Sequence, residues 1–208
     1  NIFLISDKII TISNFTKNEV MQFIKSNNIK NKMQIKTIYL GLDSIKNKIV
    51  KKNNLKFSNF ILMVGTLEPR KNYEYAIKLF CEFDKINNKD TKLVIAGNIG
   101  WDQNYLSNEL FKNKLFNKKI FHLTPDDNEL DYLYANCDFL LNTSHNEGFC
   151  LPVAEAYKYK KNILSSQIDV VKEIFGKNID YLSNEINSDV VLMESLVNNK
   201  KFKMQSFN

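Results

Sequence analysis

The chain is poor in residues that break or staple a backbone. Among 208 residues there are 6 glycines, 3 prolines and 3 cysteines. Cys81, Cys137 and Cys150 are widely spaced and odd in number, which disfavours a disulfide framework or a metal cluster and reads as reduced, packed thiols. No stretch approaches the roughly 18 consecutive apolar residues of a membrane span. There is no basic-then-apolar leader, and the first residue is Asn1 rather than Met, which suggests a piece of a longer chain. Two nucleotide signatures are also missing. Without G-x-G-x-x-G after the first strand, or G-x-x-x-x-G-K-[ST] anywhere, a nicotinamide dehydrogenase and a P-loop NTPase are disfavoured. No Asp-x-Asp pair offers to hold a divalent cation on a diphosphate, so no metal site is expected and protein groups would have to neutralise such a ligand.

What is present fits a globular protein of one large domain, or one domain and part of another. Apolar residues make up 44% and charged residues 25%, ordinary values that exclude a disordered or fibrous chain. The net charge is +6, yet of 29 basic residues only Arg70 is arginine. The lysines are scattered in small clusters, such as Lys118-Lys119 and Lys160-Lys161. They read as a solvated surface, not a nucleic-acid footprint, with weak attraction to an anionic membrane face as a further reading.

The scarce glycines punctuate the pattern. Gly65 follows Phe60-Ile61-Leu62-Met63-Val64, and Gly97 follows Leu93-Val94-Ile95-Ala96, short apolar runs expected of strands buried on both faces. Residues 119–122, 139–141 and 162–164 are further strands. Helical spacing fills the gaps: Ala76 to Ile86 after Asn72, Leu106 to Leu115 less regularly, Leu130 to Tyr134 after the capping Asp126-Asp127, Leu151 to Tyr159 opening at Pro152, and Val170 to Ile174. Strand and helix alternate about five times, which predicts an α/β fold, a doubly wound parallel sheet. Ligands of such sheets bind beyond the carboxyl ends of the strands. The first 43 residues break the rhythm, with strands at 8–12 and 35–39 around a helix at 16–25. Residues 44–59 are polar and lysine-rich, as a linker would be.

Two loops at strand ends carry chemistry. In Gly65-Thr66-Leu67-Glu68-Pro69-Arg70-Lys71-Asn72, a glycine that admits close approach is followed by a guanidinium fork and an ammonium suited to phosphate oxygens. The plain alternative is a surface loop whose Arg70 pairs with Glu68. In Asn142-Thr143-Ser144-His145-Asn146-Glu147-Gly148-Phe149-Cys150-Leu151-Pro152-Val153-Ala154-Glu155-Ala156, amides of residues 148–151 precede a helix and would face an anion. Two carboxylates beside them suit hydroxyl-rich partners. The plain alternatives are a solvated loop acid at 147 and an ordinary acidic first turn at 155.

Together these motifs resemble glycosyltransferase family 4, of GT-B fold, and the second matches its E-x7-E signature. Residues 10–16 resemble the last strand and helix of that family's acceptor domain, and residues 38–43 its interdomain crossing. The resemblance implies a division into 1–43 (acceptor-domain tail and crossing), 44–59 (linker) and 60–208 (the Rossmann-like, nucleotide-sugar donor-binding half). It implies a retaining, metal-independent transfer of a hexose from a nucleotide-sugar to a glycan or lipid-linked acceptor. Arg70 and Lys71 would bind the diphosphate, Glu147 the sugar hydroxyls and Glu155 the ribose. Gly65, Thr66, Gly148, Phe149, Cys150 and Leu151 would border the donor through their backbone. His122 and Leu123 would flank the base, although the family usually has Gly where Leu123 stands, and His145 replaces what is often an aromatic residue. The motif Leu67-Glu68-Pro69-Arg70-Lys71-Asn72 is similar to that of bacterial mannosyltransferases of surface polysaccharide or lipopolysaccharide assembly, which favours GDP-mannose over a UDP-sugar. No separate cofactor is implied. The expected location is the cytoplasm, including the inner face of its membrane, and this piece alone is expected to transfer little sugar. A non-catalytic nucleotide-sugar-binding module and a GT-B phosphorylase are the alternatives.

Overall fold

The computed structural model describes residues 2–29, 33–41, 55, 57–100 and 110–198. The chain begins with α1 (Ile2–Ile5), β1 (Lys8–Thr11), α2 (Asn14–Ser26) and β2 (Gln34–Thr37). Strands β1 and β2 pair in parallel, Lys8 opposite Gln34. Ser13 caps α2 by accepting from the Thr16 N–H, so the helix starts two residues ahead of the expected 16.

The main body follows as β3 (Phe60–Val64), α3 (Tyr73–Ile86), β4 (Lys92–Ala96), β5 (Ile120–Leu123), α4 (Asp127–Asn136), β6 (Phe139–Asn142), α5 (Leu151–Lys158), β7 (Asn162–Ser165), α6 (Asp169–Phe175), β8 (Asp180–Tyr181) and α7 (Ile186–Asn198). Its six strands form one sheet in the order β5-β4-β3-β6-β7-β8, parallel throughout. This is the doubly wound parallel sheet expected from the alternating pattern.

The period-2 alternation of a strand explains why the apolar runs are unbroken. Ile61, Met63, Leu93, Ile95, Phe139 and Leu141 face a cluster completed by α3 and α7, including Phe80, Phe83 and Met193. Phe60, Leu62, Val94, Ala96 and Leu140 face a second cluster completed by α4, α5 and α6, including Leu133, Val153 and Val171. Each central strand is thus covered on both sides, so both residue sets must be apolar. Caps set the helix starts: Asn72, in the left-handed region at φ 53°, accepts from the Tyr75 N–H, and Asp126 forms a reciprocal capping box with Glu129.

The strand edges fall within one or two residues of expectation. Strand β8 and helix α7 were not anticipated. Of the irregular helix expected over 106–115, residues up to 109 lie outside the described ones, and 110–115 follow turns, not a helix. Most of the stretch read as linker also lies outside, but Phe57 packs its ring against Phe60 and Phe121. Among the described residues, no helix is long and apolar enough to cross a membrane.

Candidate functional site

Strand order reverses between β3 and β6. From β3 the chain moves outward through β4 and β5; from β6 it moves the other way through β7 and β8. The loops leaving β3 and β6 therefore diverge around a crevice, the switch point where open α/β sheets bind ligands. Both sequence constellations are these two loops.

The first loop ends in a 3-10 turn, Pro69–Lys71. The second is fastened to it by backbone groups: the His145 N–H donates to the Arg70 carbonyl at 2.8 Å, and the Thr143 hydroxyl lies 2.8 Å from the Lys71 carbonyl. This lacing brings three charged side chains together. Lys71 Nζ lies 2.6 Å from Glu147 Oε1, and Arg70 Nη1 lies 3.0 Å from Glu147 Oε2. Arg70 Nε donates to Glu68 at 2.9 Å, so the expected alternative pairing exists alongside the one with Glu147. Partial burial opposes the charge on Arg70, but Glu147 and Glu68 outweigh it and hold its pKa above the usual value. Ser144 Oγ lies 2.9 Å from both Glu147 Oε1 and Asn142 Oδ1.

Gly65 turns out to serve Lys71. Its φ is +148°, and a Cβ there would stand 2.7 Å from Lys71 Cε and 3.0 Å from Nζ. The side of the backbone that Gly65 leaves open is filled by the lysine.

Helix α5 begins at Leu151, capped by Cys150 in the left-handed region at φ 68°. Pro152 brings no N–H, and the N–H groups of Val153 and Ala154 both turn to the Cys150 carbonyl. The amides aimed beyond the helix are therefore those at 148–151, ahead of the proline. The side chains of Phe149 and Cys150 are buried in the second core cluster, so only their backbone borders the crevice. Burial pushes the Cys150 thiol up to about 12, which leaves it protonated. Gly148 is exposed, and a Cβ there would come no closer than 3.6 Å to the protein, at Ile12 Cδ1.

One turn into α5, Glu155 accepts a 2.5 Å hydrogen bond from Tyr134. Burial raises the Glu155 pKa, the Tyr134 hydroxyl opposes that rise, and Asp131 adds to it. Tyr134 stacks on Tyr159, with centroids 5.5 Å apart, and Tyr159 donates to Asp131 at 2.6 Å.

The N-terminal unit closes one side of the crevice. Ser13 Oγ donates to the Gly148 carbonyl at 2.7 Å, with Thr16 Oγ1 3.3 Å from the same oxygen. A cleft of about 600 Å³ lies between Phe15, Thr16 and Glu19 of this unit and Arg70, Asn146, Glu147 and Gly148.

A family described as "Glycosyl transferases group 1" matches residues 45–198. The chain belongs to this glycosyltransferase family. The serotype-specific mannosyltransferase WbdA of Escherichia coli is 38% identical over 130 residues, 62% of this chain and 16% of that protein. The O-antigen chain mannosyltransferase B of Escherichia coli is 25% identical over 174 residues, 81% of this chain and 45% of that one. The chain thus spans less than half the length of either relative. Among solved structures, Anabaena HepE in complex with UDP and glucose superposes with a TM-score of 0.74 at 14% identity, over 95% of this chain and 55% of that one. The C-terminal domain of LpcC from Francisella tularensis gives 0.60 at 21% identity, over 70% and 78%. These likenesses show the GT-B fold.

Within this glycosyltransferase domain the expected site residues fall into three groups. Arg70, Lys71 and Glu147 converge, with Gly65 packed beneath Lys71, half-buried Thr66 next to it, and Gly148 beside the cleft. Leu151 and Glu155 line the start of α5, Leu151 being 48% exposed. His122 and Leu123 stand at the end of β5, two strands from β3, where His122 Nε2 lies 2.8 Å from the Gly97 carbonyl. Ser144 lay within the second sequence constellation, but sequence reasoning gave it no role beside Glu147. It also missed Ser13, Thr16 and Tyr134, which no local pattern marks.

Proposed function

We propose that this chain is the donor-binding part of a retaining, metal-independent glycosyltransferase. It moves a hexose, mannose in preference, from a nucleotide-sugar to a glycan or lipid-linked acceptor. The observation that carries this reading is the convergence of Arg70, Lys71 and Glu147 at the switch point, beside a cleft that Arg70 and Glu147 line. Arg70 and Lys71 meet the diphosphate, assisted by the amides at 148–151. Glu147 accepts hydrogen bonds from sugar hydroxyls, and Glu155 accepts them from the ribose. Gly148 fits a close approach by ligand, since the protein's own packing leaves room for a side chain there. His122 and Leu123 stand on the base side.

In the transfer, the bond from the anomeric carbon to the phosphate oxygen breaks and its electron pair stays on the diphosphate. The acceptor hydroxyl oxygen bonds that carbon and its proton is released. Fixed cations and dipoles around the leaving diphosphate stabilise the charge that builds there, commonly the largest catalytic contribution.

GDP-mannose is the favoured donor because the relatives named above are mannosyltransferases. The acceptor side belongs to the rest of a longer protein working at the inner membrane face. Calorimetric titration of the chain with GDP, GDP-mannose, UDP and UDP-glucose tests the site. Arg70→Ala is expected to weaken nucleoside diphosphate binding by tenfold or more, the loss of one charge-assisted hydrogen bond at about 1.5–3 kcal/mol. Undiminished binding by that variant sinks the assignment.

A further inference from the structure

We propose that Glu147 is a specificity-determining residue that makes the site favour an intact nucleotide-sugar over the free nucleoside diphosphate. The inference rests on the donor-site reading above and deepens it.

Its basis is that one carboxylate occupies both cations. Oε1 lies 2.6 Å from Lys71 Nζ and Oε2 lies 3.0 Å from Arg70 Nη1. The Glu147 side chain is only 9% exposed, with Ser144 Oγ 2.9 Å from Oε1. It is therefore held among the cations by several contacts. A diphosphate entering the cleft has to share Arg70 and Lys71 with an anion already on them, and two anions that close repel.

The repulsion differs between donor and product. In a nucleotide-sugar both phosphates are esterified at their ends. The released nucleoside diphosphate gains a terminal phosphate ionisation near pH 6 and so carries about one more negative charge at pH 7. The nucleotide-sugar also brings hydroxyl donors, which Glu147 accepts once an oxygen turns from its cation. The free diphosphate brings no such donors to that place. Glu147 thus penalises the product twice, by charge and by an unanswered acceptor, and favours its release after transfer.

Calorimetric titration of the 208-residue chain with GDP against GDP-mannose, and UDP against UDP-glucose, tests this. Glu147→Gln keeps the shape and removes the charge. It is expected to bind the nucleoside diphosphate at least about tenfold more tightly than the unaltered chain, a change smaller than that of a full charge pair near a protein surface, and to bind the nucleotide-sugar no more tightly. Equal or weaker diphosphate binding by Glu147→Gln overturns the proposal. Should that variant fail to fold by circular dichroism, Glu147→Asp carries the test, because its carboxylate stands one methylene short of the cations. Diphosphate binding tighter than in the unaltered chain then supports the proposal, and unchanged or weaker binding overturns it. Arg70→Ala separates the two readings. If it binds the diphosphate as well as the unaltered chain, or if none of the four ligands binds the unaltered chain, the donor-site reading fails and this inference with it.

Discussion

Lys71 and Glu147 are 76 positions apart in the chain and meet at 2.6 Å, their side chains only 7% and 9% exposed. A lysine that buried is seldom found without a partner, and three features of the fold supply one. Gly65 has no Cβ to obstruct the lysine, the left-handed Asn72 turns the chain into α3 directly after it, and the hydrogen bonds from His145 and Thr143 hold the second loop against the first.

Removing Glu147 leaves Lys71 poorly solvated and without its carboxylate, and removing Lys71 leaves the little-exposed Glu147 with Arg70 as its remaining cation. Lys71→Ala and Glu147→Ala are each expected to destabilise the chain by on the order of 3 kcal/mol, while the double variant loses clearly less than the sum. Denaturant unfolding of the four chains reads this directly. Additive losses would show that the two charges are independently solvated.

The pair also marks how far the sequence was legible. Strand-then-glycine runs and caps place the sheet, because a strand covered on both faces must be apolar at every position and a helix must start at a side chain able to cap it. The same logic identified both loops. The packing inside the loops was not legible. Sequence suggested that Gly65 admits the donor, whereas the structure fills that space with Lys71, seven residues' worth of loop having folded back. Tyr134 and Ser13 reach the site across helices, and no spacing within their own segments encodes where such side chains meet. Strand β8 is two residues long, too short for a period of two to register, and so went unseen.

Arg70 uses two faces of its guanidinium at once, Nε toward Glu68 and Nη1 toward Glu147. A lysine offers one compact head and cannot span both acids. Arg70→Lys is therefore expected to lose most of what Arg70→Ala loses, with nucleoside diphosphate affinity down about tenfold by calorimetry. Near-normal binding by Arg70→Lys would show that point charge alone suffices there.

Gly65→Ala couples backbone and site. The residue sits at φ +148°, and the new methyl would stand 2.7 Å from Lys71 Cε. The expected loss of stability is about 1–3 kcal/mol, accompanied by weaker diphosphate binding as Lys71 is displaced from Glu147. In the Lys71→Ala background the methyl has less to displace, so the same change should cost less. A thermal melt of the single and double variants checks the coupling.

Glu155 gives the site a pH dependence whose direction is fixed. Burial, with Asp131 adding to it, raises its pKa above the ordinary 4.5, and the Tyr134 hydroxyl opposes the rise. A raised carboxyl takes up its proton at higher pH, so ribonucleotide affinity should begin to fall on acidification above pH 4.5, while pyrophosphate affinity does not follow the same curve. Tyr134→Phe removes the opposing hydrogen bond and should move the fall to still higher pH. The same pKa bears on folding with the opposite sign to a salt-bridged acid: because protonation is easier in the folded chain, this group's contribution to stability improves as pH falls through its folded pKa. Titrations with GDP and pyrophosphate across pH 4 to 8, at roughly unit steps around the ordinary carboxyl range, distinguish the two ligands.

The placement of α2 over the cleft depends on Glu173. Its Oε1 and Oε2 accept from the first two amides of the helix, Asn14 and Phe15, each at 2.7 Å, and Tyr39 donates to Oε1 at 2.6 Å. A carboxylate on two first-turn amides answers groups that the helix itself leaves unpaired and opposes the positive end of its dipole. Those contacts join α6 of the parallel-sheet body to the unit carrying Thr16 and Glu19. Glu173→Ala is expected to speed hydrogen exchange at Asn14 and Phe15 by about tenfold, the equivalent of 1.4 kcal/mol, with little change at Val171 and Lys172, whose amides donate to the Ile168 carbonyl at the start of α6. Glu173→Gln keeps an acceptor without the charge and should fall between. Because Gly148 is tied to Ser13 and Thr16, exchange in the 148–151 segment should rise with that of α2. If those amides exchange as before while α2 loosens, Glu173 anchors only the helix and not the wall of the cleft.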